Sequence, residues 1–313
     1  MHTISRAYGD TARPPHVIGY GDSVFDVFPS RGLQYPGGNC LNFAVFCRFL
    51  GAHSEYVGVV GDDERGRRIL DVLETVDVRT DHVQIRDGQT GWTGVNVVDG
   101  DRVFFRGNDQ GVTRSKPTTL TPDLLIHMRS AQLVHSSAYS LSSQDVPQLA
   151  DGPIVTFDFS EEDDRRTDEY LAALAPFIEL GLFSCSHISL DATIHLLERA
   201  NRAGMPLTLA TRGKEGSVAF DGNRMFHQTA IAIDNPSLMR DTTGCGDAFL
   251  AAFVMSLLEH GWTRGASMSE SRIEGALREA AVFARDQCFV EGAFGYGGAI
   301  SDPAPANGSA QRA

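Results

Sequence analysis

Apolar runs of strand length alternate with helical patterns along most of this chain, and that alternation restricts its fold more than any other feature. HVIGYG (16–21), EYVGVV (55–60), AQLVHS (131–136), PIVTFDF (153–159), GLFSCS (181–186) and PLTLAT (206–211) read as strands. Helical patterns fall near 40–50, 64–75, 121–129, 191–203, 247–260 and 270–287. The middle strands are rich in Val, Ile, Leu and Phe without strict polar alternation, as strands buried on both faces are. The expected fold class is α/β, with a mostly parallel sheet and helices on each side. Two places break the pattern. GWTGVNVVDGDRVFF (91–105) reads as two strands around an Asp99-Gly100 turn, and SVAFDGNRMFH (217–227) repeats the device at Asp221-Gly222. An early hairpin in an α/β chain suits a small β lid over the carboxyl ends of the sheet.

The bulk numbers narrow the class of function. A net charge of −13 argues against a broad nucleic-acid surface, which needs a basic face. It does not argue against a nucleotide, because backbone amides can hold phosphate. No apolar run approaches the roughly 20 residues of a membrane span, and the start, MHTISRAYGDTARPP, lacks the apolar core of a secretory signal. A cytoplasmic protein is expected. The five cysteines (Cys40, Cys47, Cys185, Cys245, Cys288) are scattered without a C-x-x-C pair, which argues against a disulfide framework or structural zinc site. Residues 1–15 and 302–313 read as loose tails. Asn307-Gly-Ser matches a glycosylation triplet by chance.

The chemistry concentrates in RDTTGCGDAFLAAFVMSLLEHGW (240–262). After Asp247, Leu250, Phe253, Val254, Leu257 and Leu258 recur at helical spacing, and Gly261 closes the helix. Gly244, Cys245 and Gly246 then sit at the helix N-terminus, where free N–H groups and the positive dipole end make an anion pocket. Asp247 stands beside it in the first turn. The dipole is expected to keep it ionised, so that it can accept a proton from a hydroxyl attacking a cradled phosphoryl group. Asp241 would hold a cation or fix the loop. A plain capped helix explains the bare pattern equally well.

Three further stretches carry weaker signals. YPGGNCLNFAVFCRFLG (35–51) brings Gly37, Gly38 and Asn39 to a helix start, suited either to a polyhydroxyl ligand or to ordinary capping. GYGDSVFDVFP begins like a dinucleotide fingerprint, but Val24 stands where the third glycine belongs, and Asp22 instead falls at the ligand end of the first strand. TLATRGKEGSVAF places Thr211, Gly213 and Gly216 at another strand's carboxyl end without the spacing of a P-loop.

Together these stretches resemble the PfkB (ribokinase-like) family of sugar and nucleoside kinases, over about residues 16–300. DTTGCGDAFLAAFV is similar to that family's C-terminal signature, and GGNCLNFAVFCRFLGAHSEYVGVVG, with Asn42, Ala44, Gly51 and Gly61, to its N-terminal one. The resemblance implies a three-layer α/β/α sandwich over 16–301 with a lid from about 22–35 and 90–112. It implies ATP-dependent phosphorylation of a hydroxyl, with Mg²⁺ and K⁺ as the cations. Asp247 would be the catalytic base and Gly244, Cys245 and Gly246 the anion hole. Asp241 and Thr242 would lie at the monovalent-cation loop. Asp22, Gly38, Asn39 and Asn42 would hold the sugar. Thr211, Gly213, Gly216 and Gly246 would line ATP, with the segment from Ala281 to Gly295. Cys245 and Cys40 replace smaller residues of the signatures. The magnesium motif N-x-x-E is missing, SCSHISLD standing in its region, with Asp191 as a substitute acid.

FDFS, GDSVFDVFPSRGLQYPGGN, DGDRVFFRGNDQG and GAFGYG are most similar to the fructoselysine 6-kinase subgroup. That implies phosphorylation at O6 of a sugar already joined to an amino acid. Arg106 and Asn108 would meet the amino-acid carboxylate, although a solvated strand charge also explains Arg106. Ribose, fructose, a deoxy-gluconate or a nucleoside are the alternative substrates, and a non-catalytic sugar- or nucleotide-binding protein is the alternative class. A homodimer joined through the lids would cover the hairpin edges.

Overall fold

The structure, a computed structural model, describes residues 13–98, 101–140 and 142–300; for residues 97, 98, 101–104 and 106 it describes the backbone alone. The Asp99-Gly100 turn and most of both expected tails lie outside the described residues. In chain order the strands are β1 (His16–Gly21), β2 (Val24–Phe28), β3 (Leu33–Gly37), β4 (His53–Gly61), β5 (Gln84–Arg86), β6 (Gly91–Val98), β7 (Asp101–Gly107), β8 (Leu133–Ser137), β9 (Ile154–Asp158), β10 (Leu180–Ser184), β11 (Leu207–Thr211), β12 (Ser217–Phe220), β13 (Met225–Gln228) and β14 (Gly298–Ala299). The helices are α1 (Asn39–Phe49), α2 (Glu64–Thr75), α3 (Val112–Ser115), α4 (Pro122–Arg129), α5 (Asp168–Leu174), α6 (Leu190–Arg202), α7 (Cys245–Glu259) and α8 (Glu270–Gln287).

The large sheet has the order β13-β12-β11-β10-β9-β8-β1-β4-β5. It is parallel from β11 through β5, and the β12–β13 hairpin adds antiparallel strands at one edge. The unbroken apolar character of its strands has a direct cause. Val17 and the next residue, Ile18, are both fully buried, but in different cores on opposite faces. Tyr56 and Val57 repeat this on β4. One face packs under α1, α7 and α8, the other under α4, α5 and α6. Helix α7 is apolar all round because it lies inside its layer, every residue from Asp247 to Leu258 being buried. Truncating fully buried Phe253 to Ala there would cost about 3–5 kcal/mol. Helix α2 shows the amphipathic opposite: Asp63 caps it by accepting from the Gly66 N–H, and Ile69, Val72 and Leu73 face inward.

A second, five-stranded sheet has the order β14-β3-β2-β6-β7. It joins the two segments expected to form a lid and adds β14 from the far end of the chain. Phe28, Tyr35 and Val95 form its own small core. The strand patterns of β2 and β3 are masked in the sequence by Asp26 inside an apolar run and by Pro36. No helix among the described residues is long and apolar enough to cross a membrane.

Candidate active site

The carboxyl ends of β1, β8 and β9 lie side by side, so residues distant in sequence meet there. Asp22 follows β1 and is buried. Its Oδ1 accepts from the hydroxyls of Ser137 and Ser140, each at 2.8 Å. Its Oδ2 accepts the Asn39 backbone N–H at 2.7 Å. That contact requires Gly38: its φ is +113°, and a Cβ there would sit 2.8 Å from the Asp22 carbonyl oxygen. Asn39 therefore opens α1 against the strand end, and its Nδ2 donates to Asp158 Oδ2 at 2.7 Å. The other oxygen of Asp158 accepts the Ser160 N–H at 2.7 Å. Burial, reinforced by the charge of Asp22, pushes the Asp158 carboxyl up to about 7 against the hydrogen bonds that hold it down.

Asp247 enters the same space from the first turn of α7. Its Oδ2 accepts from Asn42 Nδ2 at 2.7 Å. Asn42 Oδ1 is buried and makes no hydrogen bond among the described residues. The expectation that the helix dipole keeps Asp247 ionised is corrected here. Burial first, then the charges of Asp158, Asp22 and Asp26, push its carboxyl well above the usual range. Asp26 is buried on β2, so the small sheet contributes a carboxylate to the cluster. A base with raised proton affinity is better matched to neutral pH than an ordinary carboxylate.

The approach to α7 is built to leave its first turn open. Gly244 adopts φ +72°, and a Cβ there would press on Ala293 at 2.8 Å. At Gly246 a Cβ would meet nothing within 4 Å, so free space faces the first-turn amides. Asp241 anchors the preceding loop. Its Oδ1 accepts from the N–H and hydroxyl of Thr243, and its Oδ2 from the Gly292 N–H at 3.1 Å. Its two oxygens thus fix the loop to the segment after α8. Thr242 is exposed, its carbonyl accepting the Cys245 N–H at 3.3 Å. Cys245 Sγ lies 3.5 Å from Cys288 Sγ, and this hydrogen bond holds the Cys288 thiol down to about 7.

Thr211 ends β11, three strands beyond β8 in the sheet. Its carbonyl accepts the Cys185 N–H, and the Arg212 N–H donates to Gly216. Gly213 and Gly216 both have positive φ, and a Cβ on Gly216 would overlap the Gln228 carbonyl. Asp191 lies exposed in the first turn of α6. Asn108 accepts the Trp92 N–H and donates to the Thr90 carbonyl, so its amide braces the loop beside β6. The side chain of Arg106 lies outside the described residues. Asp26 was not singled out in the sequence and Asp158 entered only within FDFS, although each is an acid beside Phe in an apolar run (VFDVF and TFDFS).

Residues 24–150 and 179–291 match the profile of the pfkB family of carbohydrate kinases. The chain is 34% identical over 282 residues to the fructosamine kinase FrlD of Bacillus subtilis, covering 90% of this chain and 93% of that one. It is 29% identical over 257 residues to the fructoselysine 6-kinase of Escherichia coli, covering 82% and 92%. Among solved structures it is similar to Arabidopsis thaliana ribokinase complexed with ribose and ATP, with a TM-score of 0.73, 22% identity, and 90% and 95% of the two chains covered. Strand-end carboxylates, an open helix N-terminus and matches along both halves of the chain thus agree: this protein belongs to the pfkB family of carbohydrate kinases and is a phosphotransferase acting on a sugar hydroxyl.

Proposed function

We propose that the enzyme transfers the γ-phosphoryl group of ATP to the primary hydroxyl O6 of a fructosyl-amine, with fructoselysine the leading substrate. One observation carries this choice: four buried carboxylates, Asp22, Asp26, Asp158 and Asp247, share the site. A neutral ketose gains little from the negative potential that remains when burial pushes Asp158 and Asp247 towards their neutral forms. A fructosyl-amine brings a protonated amine that this potential attracts. The relatives named for fructosamine and fructoselysine support the same reading.

In this mechanism Asp22 and Asn39 hold sugar hydroxyls, helped by Gly38 and by the free carbonyl oxygen of Asn42. Asp247 takes the O6 proton as the oxygen attacks phosphorus, and ADP leaves with the electron pair of the broken bond. The amides of Gly244 and Gly246 at the start of α7, joined by that of Cys245 when it leaves the Thr242 carbonyl, stabilise the charge that develops on the transferring group. Thr211, Gly213 and Gly216 line the nucleotide at the neighbouring strand ends. The small sheet acts as the lid that excludes water, and Asp26 arrives with it. A homodimer would cover its edge strand β7.

A magnesium ion bound with ATP would supply charge neutralisation on the phosphates. The residues after β10 present no N-x-x-E pair, so a magnesium ion would depend mainly on phosphate and water, as its reluctance to dehydrate allows. A monovalent cation, K⁺, would sit at the Asp241–Thr242 loop through carbonyl oxygens, since the Asp241 carboxylate is already hydrogen-bonded. A cytoplasmic setting fits ATP as donor and five free cysteines.

The test is ADP release by purified protein with MgATP and K⁺ against fructoselysine, fructose, ribose and adenosine. A kcat/KM for fructoselysine at least about tenfold above the others, worth about 1.4 kcal/mol of transition-state binding, is the expected result. Preference for another sugar overturns the substrate and leaves phosphoryl transfer standing. No turnover on any of them, with ATP bound, overturns the catalytic reading.

A further inference from the structure

The other end of the sheet carries a second cluster of polar residues that the kinase reaction does not use. Glu55 on β4 is completely buried. The β1–β4 register pairs His16 with His53 and Ile18 with Glu55. His16 and Glu55 are therefore diagonal neighbours on one face, because side chains alternate along each strand. His127 comes down from the last turn of α4, and its Nε2 lies 2.8 Å from Glu55 Oε2. His16 Nε2 lies 3.4 Å from the same oxygen. It is buried and makes no well-aligned hydrogen bond among the described residues. His82, in the loop before β5, donates from Nδ1 to the second oxygen of Glu55 at 2.5 Å and stacks on His127 with ring centroids 4.1 Å apart.

We propose that His16, Glu55 and His127 form a structural binding site for a divalent transition-metal ion, zinc above all. One ligand atom from each lies within 4.8 Å of the others. Around a tetrahedral zinc with bonds of about 2.0–2.1 Å, ligand atoms sit about 3.3 Å apart. The His16–Glu55 separation already fits, and the His127–Glu55 hydrogen bond has to open by about half an ångström. The donor set suits the ion: two neutral imidazole nitrogens and a carboxylate favour zinc and its neighbours over magnesium or calcium, which prefer oxygen shells. The carboxylate is ready for the role. Its Oε2 is the oxygen that both His16 Nε2 and His127 Nε2 already face. The hydrogen bond from His82 orients it from behind, as second partners of metal ligands do. The three histidines keep partial exposure, with His127 at 23%, so an ion can enter from solvent.

The placement assigns the metal a role in stability. His16 starts β1 and Asp22 follows its end, so the site lies about 20 Å from the catalytic carboxylates at 3.3 Å per strand residue. Bound there, the ion would tie α4 and the sheet together. No cysteine takes part.

Equilibrium dialysis of the full chain against Zn²⁺, with metal counted by atomic emission, tests this. Cys245→Ser/Cys288→Ser protein is the background, which removes thiol binding at the other end. The expected result is about one Zn²⁺ per chain, unaffected by millimolar Mg²⁺, with a rise in Tm. His16→Gln and His127→Gln should each weaken binding by about 30-fold or more, near the 10–100-fold range of perturbed metal sites. Neither should change metal-free Tm by more than a few degrees, which separates lost ligation from misfolding. Absence of zinc uptake at 100-fold excess over protein overturns the proposal. So does binding that survives both substitutions.

Discussion

Asn42 donates its side-chain N–H to the carboxylate of Asp247 at 2.7 Å, joining the first turn of α1 to the first turn of α7. The bond favours the ionised form of a carboxyl that burial and three neighbouring carboxylates push the other way. Asn42→Ala should therefore raise the pKa of Asp247. The base must be deprotonated to act, so the acid limb of the kcat/KM profile should move to higher pH, by about one unit for a lost charged hydrogen bond of about 1.4 kcal/mol. A pH–rate profile identical to that of the parent would contradict this.

Asp158 carries a stability cost at neutral pH. Its folded pKa is raised to about 7 from an unfolded value near 3.8. The folded protein thus holds this proton more tightly than the unfolded chain, and stability is lost as pH rises from about 4 through about 7. Asp158→Asn copies the neutral form. It should stabilise the ligand-free protein at pH 8, on the order of a few kcal/mol at most, with the gain fading towards pH 5. Urea melts at the two pH values would show it, and an equal effect at both would count against it.

Asp26 is the carboxylate that the small sheet brings to the cluster. Asp26→Asn should raise KM for fructoselysine about tenfold and leave KM for fructose nearly unchanged, the signature of a lost interaction with the amine alone. Equal losses on both substrates would remove Asp26 from the recognition of charge.

The thiol pair at the mouth of α7 should make the enzyme sensitive to alkylation. The hydrogen bond with Cys245 lowers the pKa of the Cys288 thiol, which raises its thiolate fraction at neutral pH. Iodoacetamide should modify it faster than the buried cysteines and inactivate the enzyme by crowding Cys245 and the anion hole, with MgATP slowing the loss. Peptide mapping with residual activity checks this; full activity after complete modification would contradict it.

Much of this architecture was legible because it rests on local patterns. The apolar spacing of 64–75 gives α2 as observed, and HVIGYG gives β1. Asp22, Asn39 and Asp247 stood out by their positions just after a strand and at two helix starts. What stayed hidden depends on contacts between distant segments. Asp26 and Asp158 had no assigned role in the sequence until the sheets brought them beside Asp247. The same convergence, with burial, pushes the Asp247 carboxyl towards its neutral form, since a dipole argument sees only its own helix. Asn108 looked like a ligand contact, but its partners Trp92 and Thr90 lie across a loop whose closure local spacing does not reveal. Cys288 meets Cys245 only because α8 ends against the start of α7.

The most direct measurement is kcat of Asp247→Asn on fructoselysine, with sugar and nucleotide affinities measured alongside by calorimetry. The account predicts a kcat lower by about 10³-fold or more, within the range removed with a general base, and both affinities within about threefold of the parent. A variant that keeps kcat within about tenfold while binding both ligands would show that Asp247 does not take the proton.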